Sequence, residues 1–304
     1  MIDPVEPSRE NGAISRSPGT LAHAACVLEV CAPKPGNVYP GRDFAHLSYL
    51  DFLLAAGAVA RELDRARERS LGETVLAAVT ASRSVTRDNA NLGIVLLLSP
   101  LSSLHPNEEP SDGVARVLGA LTERDTELVY EAIRVATPKG LGEADESDVR
   151  GDAPPRLLDA MKLAEDRDFI ARQYVHGFDD IIQSGVPMLR ESLDTTSSIE
   201  EAVVGLQLRL MAQFPDSHIA RRCGREIAVR SSELANDVLE ADWPETPESR
   251  TLEADLDVWL RDGGNVRNPG TTADCVAAVL FLGLRAGIIP IPLPRGNGGS
   301  SGHA

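Results

Sequence analysis

Sixteen residues, Glu29 to Phe44 (EVCAPKPGNVYPGRDF), hold three prolines, two glycines, two cations and two carboxylates directly after an apolar helical run. Four further polar segments recur down the chain: RDNANLG (87–93), PKGLGEADESD (138–148), DSHIARRCG (216–224) and NPGTTAD (268–274). Glu29, Asp43 and Asp88 are hard oxygen ligands of the kind that hold Mg²⁺, an ion that usually also binds substrate phosphates. Lys34, Arg42 and Arg222 offer point charges and guanidinium forks to a polyphosphate. Glu29 stands out because Val27, Leu28 and Val30 surround it, where an unpaired carboxylate is costly. Each feature also has a structural use: Asp216 and Thr271 suit N-caps worth ~1 kcal/mol each, and Pro-Gly pairs are ordinary turn residues.

The elements that must position these residues are helices. Apolar residues recur at helical spacing in LAHAACVLEVCA, SYLDFLLAAGAVARELDRARER, LGETVLAAVTASRSV and NLGIVLLLSPLSSL, the last interrupted by Pro100, and in eight later segments to GTTADCVAAVLFLGLRAG. DSHIARRCGREIAVRSSELANDVLEA reads as one continuous helix. No period-2 strand stands out, GIIPIPLP carries too many prolines for a central strand, and no fixed-period repeat is present. The expectation is an all-α chain: one large domain over residues 18–290 with about ten or more helices and functional loops at helix ends. Residues 1–17 and 291–304 read as flexible tails. Each polar segment falls at a helix junction, where free N–H groups and a partial positive charge favour phosphate.

Composition narrows the partners. Hydrophobic residues make up 42% and aromatics 4%, so the core is aliphatic, and the formal net charge of −16 argues against a nucleic-acid backbone. Cys26, Cys31, Cys223 and Cys275 show no zinc spacing and read as reduced thiols of a cytoplasmic protein. The N-terminal residues lack the apolar core of a signal peptide, and the longest apolar run, CVAAVLFLGL, is too short to cross a bilayer. There is no P-loop and no nucleophile elbow. Asp168 and Arg172 in EDRDFIARQY read as a surface ion-pair face.

The order Glu29-x-x-x-x-Lys34-Pro35-Gly36, Asp43, Asn89-x-x-x-Gly93, Gly142-Glu143, DSHIARRCG and NPGTTAD resembles the triphosphoribosyl-dephospho-CoA synthase family, from about Leu21 to Gly287. The resemblance implies a helical enzyme that joins ATP to 3′-dephospho-CoA with release of adenine. It implies Mg²⁺ as cofactor, Lys34 and Arg222 on phosphates, Glu29 and Asp43 as metal ligands or base, and Asn89 on the ribose. Asp216 and Asp274 would be additional carboxylates of the site. Gly36, Asn37, Asn91, Gly93, Gly270 and Thr271 complete the expected nucleotide-binding set, and Asp88 the metal set. The chain departs from the citrate-lyase type, which has N-T-H-K-G where this sequence has Asn89-Ala90-Asn91-Leu92-Gly93. It also departs where Cys223 and Thr271-Thr272 replace small residues. A related acceptor, a nucleotide hydrolase or N-glycosidase on the same scaffold, and a non-catalytic helical interaction protein are the alternatives.

Overall fold

The computed structural model describes residues 16–87, 91–136 and 154–293. Asp88, Asn89, Gly142 and Glu143 lie outside the described residues. Fourteen α-helices make up the described fold. They are α1 (Pro18–Cys31), α2 (Tyr49–Leu63), α3 (Leu71–Val85), α4 (Leu92–Ser102), α5 (Pro110–Gly119), α6 (Glu123–Ala136) and α7 (Leu157–Ala164). There follow α8 (Phe169–Val175), α9 (Val186–Thr195), α10 (Ile199–Gln213), α11 (Ser217–Cys223), α12 (Arg225–Glu240), α13 (Pro247–Arg261) and α14 (Gly270–Arg285). A π-helical turn, Asp180–Gly185, leads into α9. Among the described residues β-pairing is confined to two isolated bridges, Tyr39–Arg42 and Phe44–Leu47.

Two helices form the centre. Every residue of α14 from Cys275 to Leu284 is buried, as is every residue of α4 from Ile94 to Ser102. A helix apolar all round must be enclosed on every side; α14 is flanked by α1, α4, α9, α10, α11 and the π-turn. Outside this centre, α1 packs on α2, α2 on α3 and α3 on α6, while α10, α12 and α13 pack in turn on the other side.

Local chemistry explains the boundaries. Ser48 and Ser70 form capping boxes with Asp51 and Glu73 at the starts of α2 and α3. Pro100 does not cut α4, which continues through it to Ser102. The Leu96 carbonyl, which a Pro100 N–H would have met, accepts instead from the buried Tyr174 hydroxyl at 2.7 Å. The segment read as one helix from 216 to 241 is two, because Gly224 adopts φ +95° and ends α11 before α12 begins. Among the described residues, no helix is long and apolar enough to cross a membrane.

Candidate active site at the helix ends

The loop from Ala32 to Ser48 is braced from three directions. Gly36, at φ +75°, donates its N–H to Asp257 Oδ1 at 2.8 Å. A side chain there would meet Leu260 Cδ1 at 2.8 Å and Pro269 Cδ at 2.9 Å, so only glycine satisfies both conformation and space. The Asn37 amide donates to Asn268 Oδ1 at 2.7 Å and accepts from Gln207 Nε2 at 2.8 Å; Gln207 Nε2 also reaches the Pro35 carbonyl at 2.9 Å. Arg261 donates to the Asn37 carbonyl at 2.6 Å and to Asp257 at 2.8 Å. Further along, Tyr39–Arg42 and Phe44–Leu47 close two consecutive two-residue turns, with His46 in the second. Asp43 is exposed and accepts the Tyr49 N–H at 2.9 Å, tying the loop to α2.

Glu29 and Lys34 meet inside the protein. Lys34 is 0% exposed and Glu29 5%; Lys34 Nζ lies 2.9 Å from Glu29 Oε1 and also donates to the Glu29 carbonyl. The lysine therefore neutralises the carboxylate and caps the last turn of α1. Asp216, also buried, is the N-cap of α11 through the Ile219 N–H at 2.9 Å. Its other oxygen accepts from Thr272 N at 2.7 Å and Thr272 Oγ1 at 2.8 Å. An internal carboxylate thus occupies the positive end of α14. Thr271 Oγ1 lies 3.0 Å from Ser217 Oγ, and Gly270 passes close to the His218 ring, 3.4 Å from where a Cβ would sit.

Asp274 and Asn91 are different, because among the described residues no side-chain partner satisfies them. Asn91 is 2% exposed at the start of α4, and neither its Oδ1 nor its Nδ2 has a partner. Such a group costs roughly 1–3 kcal/mol. Asp274, one turn into α14, presses against the backbone of Gly93: a Cβ there would lie 2.0 Å from Asp274 Oδ2. The residue as a whole is partly exposed, yet surrounding protein atoms desolvate its carboxyl. That desolvation, with the nearby carboxylates of Glu29 and Asp216, pushes its pKa well above the carboxylate range, against a weaker opposing effect of Arg221. Arg221 itself pairs with Asp168 at 2.7 Å, and Arg172 with Asp180 at 2.9 Å. Arg222 is exposed, 3.4 Å from His218 Nε2. Burial lowers the His218 pKa, Asp216 opposing it.

The end of the loop borders an open cavity of ≈ 630 Å³, lined by His46 and Leu47, Asp51 of α2, and Arg83 to Arg87. The structure thus brings Glu29, Lys34, Asp216, Asp274, Asn91 and Gly93 to one end of the bundle. Asp43 stands on the neighbouring loop. Among the described residues, no three His, Cys, Asp or Glu side chains form a metal-holding group. Sequence reasoning missed Asp257, Gln207, Asn268 and Arg261, which hold the loop, and His46 and Arg83, which line the cavity. Gln207 carried a signal, a long amide inside the apolar run AVVGLQL, and Asn268 opens the polar segment NPGTTAD. The other four look like ordinary surface residues.

No curated protein matches this chain. A crystal structure from Archaeoglobus fulgidus, provisionally named a triphosphoribosyl-dephospho-CoA synthase, is 31% identical. It superposes with a TM-score of 0.59 over 77% of this chain and 99% of its own. The family model described as CitG, ATP:dephospho-CoA triphosphoribosyl transferase, matches residues 15–288, and with all the described helices inside that span the chain belongs to this family.

Proposed function

We propose that the protein transfers the triphosphoribosyl group of ATP to the 2′-hydroxyl of 3′-dephospho-CoA, or of a closely related acceptor, and releases adenine. Family membership over residues 15–288 supports the reaction class. The observation that carries the site is Asp274, unpaired and partly accessible, against Gly93 and in the same helix-end cluster as the unsatisfied amide of Asn91. A protein keeps such unsatisfied polar groups where a ligand completes them.

In the reaction the acceptor oxygen forms a bond to C1′ of the ATP ribose as the C1′–N9 bond breaks. The hydroxyl loses its proton, and adenine leaves with the bonding electron pair and gains one. Two proton transfers and an oxocarbenium-like centre must therefore be managed. Asp274 is assigned as the proton donor to adenine, because desolvation and neighbouring carboxylates raise its pKa and so favour the protonated form of a side chain set against Gly93. Asp216, buried and bonded to neutral N–H and O–H donors, supplies a negative field that favours positive charge at C1′. Asn91 offers an amide to the ribose or a phosphate, and Lys34 holds Glu29 in place from behind.

Mg²⁺ would enter with the nucleotide. Mg²⁺ typically takes one or two protein carboxylates plus substrate phosphates, so a dedicated protein cage is not required. The amide oxygen of Asn91 and the exposed carboxylate of Asp43 are the right donor type. When bound, the ion neutralises triphosphate charge.

Incubating the protein with ATP, Mg²⁺ and 3′-dephospho-CoA tests the proposal, with adenine followed by chromatography and the adduct by mass spectrometry. Stoichiometric adenine and a triphosphoribosyl adduct are expected. Adenine without adduct would make water the acceptor, and neither product would refute the transfer.

A further inference from the structure

The ≈ 630 Å³ cavity has chemistry opposite to that of the carboxylate cluster. Its wall includes Arg83, half-buried in the last turn of α3, and Arg87, exposed just beyond it. Among the described residues neither guanidinium pairs with a carboxylate, whereas Arg69, Arg116, Arg172, Arg221 and Arg250 all do. Arg83 donates to the Arg87 carbonyl, which fixes one arginine against the turn that carries the other. The only acid in the described lining, Asp51, is already engaged. Its Oδ2 accepts from Ser48 N and Ser48 Oγ at 2.8 Å each, and those bonds lower its pKa. Ser84 and Thr86 turn their hydroxyls to the carbonyls of Ala81 and Ser82. The arginines and His46 are therefore the groups left to meet a ligand.

On a chain of net charge −16, two unpaired arginines facing one cavity are a local reversal of sign. Guanidinium forks match phosphate oxygens geometrically. The volume is that of a whole organic ligand rather than a single phosphate, since ligand cavities run about 300–1,000 Å³. Leu47 and Val85, the latter 41% exposed, give it an apolar side suited to the non-phosphate part.

Two stretches of the sequence link the cavity residues to the proposed transfer site. The loop carrying Lys34, Gly36 and Asn37 continues to His46 and Leu47, and Arg87 lies four residues before the unsatisfied Asn91. We infer that this cavity is a phosphoanhydride-binding subsite in which Arg83 and Arg87 grip the polyphosphate chain of a substrate. The inference rests on the proposed function for the identity of that substrate. Both ATP and 3′-dephospho-CoA carry such a chain, and Lys34, fully enclosed beside Glu29, leaves this role open for another cation.

The test is equilibrium binding of three probes to the full chain, each alone: Mg-ATP, 3′-dephospho-CoA and inorganic pyrophosphate. Wild type is compared with Arg83→Ala/Arg87→Ala and with Arg83→Lys/Arg87→Lys, after thermal melts show that the variants remain folded. The alanine pair is expected to weaken one nucleotide by roughly a hundredfold, about tenfold for each charged hydrogen-bonding group lost. The lysine pair should recover part of the loss, and the affinity should fall with salt. Selective loss of Mg-ATP assigns the cavity to the donor, and selective loss of 3′-dephospho-CoA to the acceptor. Arginine-dependent binding of pyrophosphate with neither nucleotide bound would uphold the subsite while removing the proposed transfer. Unchanged affinity for all three probes in the alanine pair would overturn the inference.

Discussion

Replacing Lys34 with methionine separates an internal counter-ion from a phosphate ligand. Lys34 Nζ has Glu29 Oε1 at 2.9 Å and is fully enclosed, so its loss leaves Glu29 buried with no partner. Asp274, which already feels the Glu29 charge, adds a second carboxyl to the same region. Removing one member of a buried pair costs about 3–5 kcal/mol, a large share of the roughly 5–15 kcal/mol that holds a domain together. At about 2 °C per kcal/mol for a chain of this size, the melting temperature should fall by roughly 6–10 °C. Glu29→Gln/Lys34→Met removes both charges and should be more stable than the two single changes predict, by about 2 kcal/mol or more. Urea midpoints of the four proteins close the cycle. If Lys34→Met unfolds at the wild-type midpoint yet loses Mg-ATP affinity, the lysine is free to meet phosphate and the reasoning fails.

Three other outcomes follow from the same geometry. Gly93→Ala puts a methyl 2.0 Å from Asp274 Oδ2 and should cost about 1–3 kcal/mol of stability. It should also cut adduct formation at least about tenfold by displacing the proposed acid; wild-type turnover in this variant would refute the Asp274 role. Asp274 has a raised native pKa, so the folded state retains a proton that the unfolded chain releases. Its contribution therefore turns unfavourable as pH rises above the ordinary carboxylate value of about 4. Asp274→Asn should accordingly gain urea stability at pH 8 but not at pH 3, and an equal gain at both would contradict the shift. Finally, iodoacetamide should label exposed Cys31 and half-buried Cys223 in the native protein. Cys26 and Cys275, whose thiols burial pushes upward, should react only after denaturation; native labelling of either would contradict their enclosure.

The helices and the family were legible in the sequence because both are carried by local order. Helical spacing of apolar residues needs no knowledge of partners, and KPG, DSHIARRCG and NPGTTAD keep their order along the chain. The one large local error, reading residues 216–241 as a single helix, came from Gly224. Its sequence context does not reveal whether a glycine will use its freedom to adopt φ +95°.

What each polar residue does was decided in three dimensions. Glu29 and Asp216 look alike in sequence to Asp274, all three being acids at helix ends. In the fold, Lys34 closes on the first and Thr272 with Ile219 on the second, while the third is left against Gly93 without a partner. Likewise Arg83 and Arg87 resemble the many arginines of surface ion pairs, yet among the described residues neither pairs with a carboxylate, and Asp51 in the same cavity wall is bonded to Ser48. Amino-acid type and spacing determined the elements and the inventory of charges. Which charges are spent inside the protein and which remain for a ligand depends on contacts between residues such as Asp216 and Thr272, 56 positions apart, and only packing sets those.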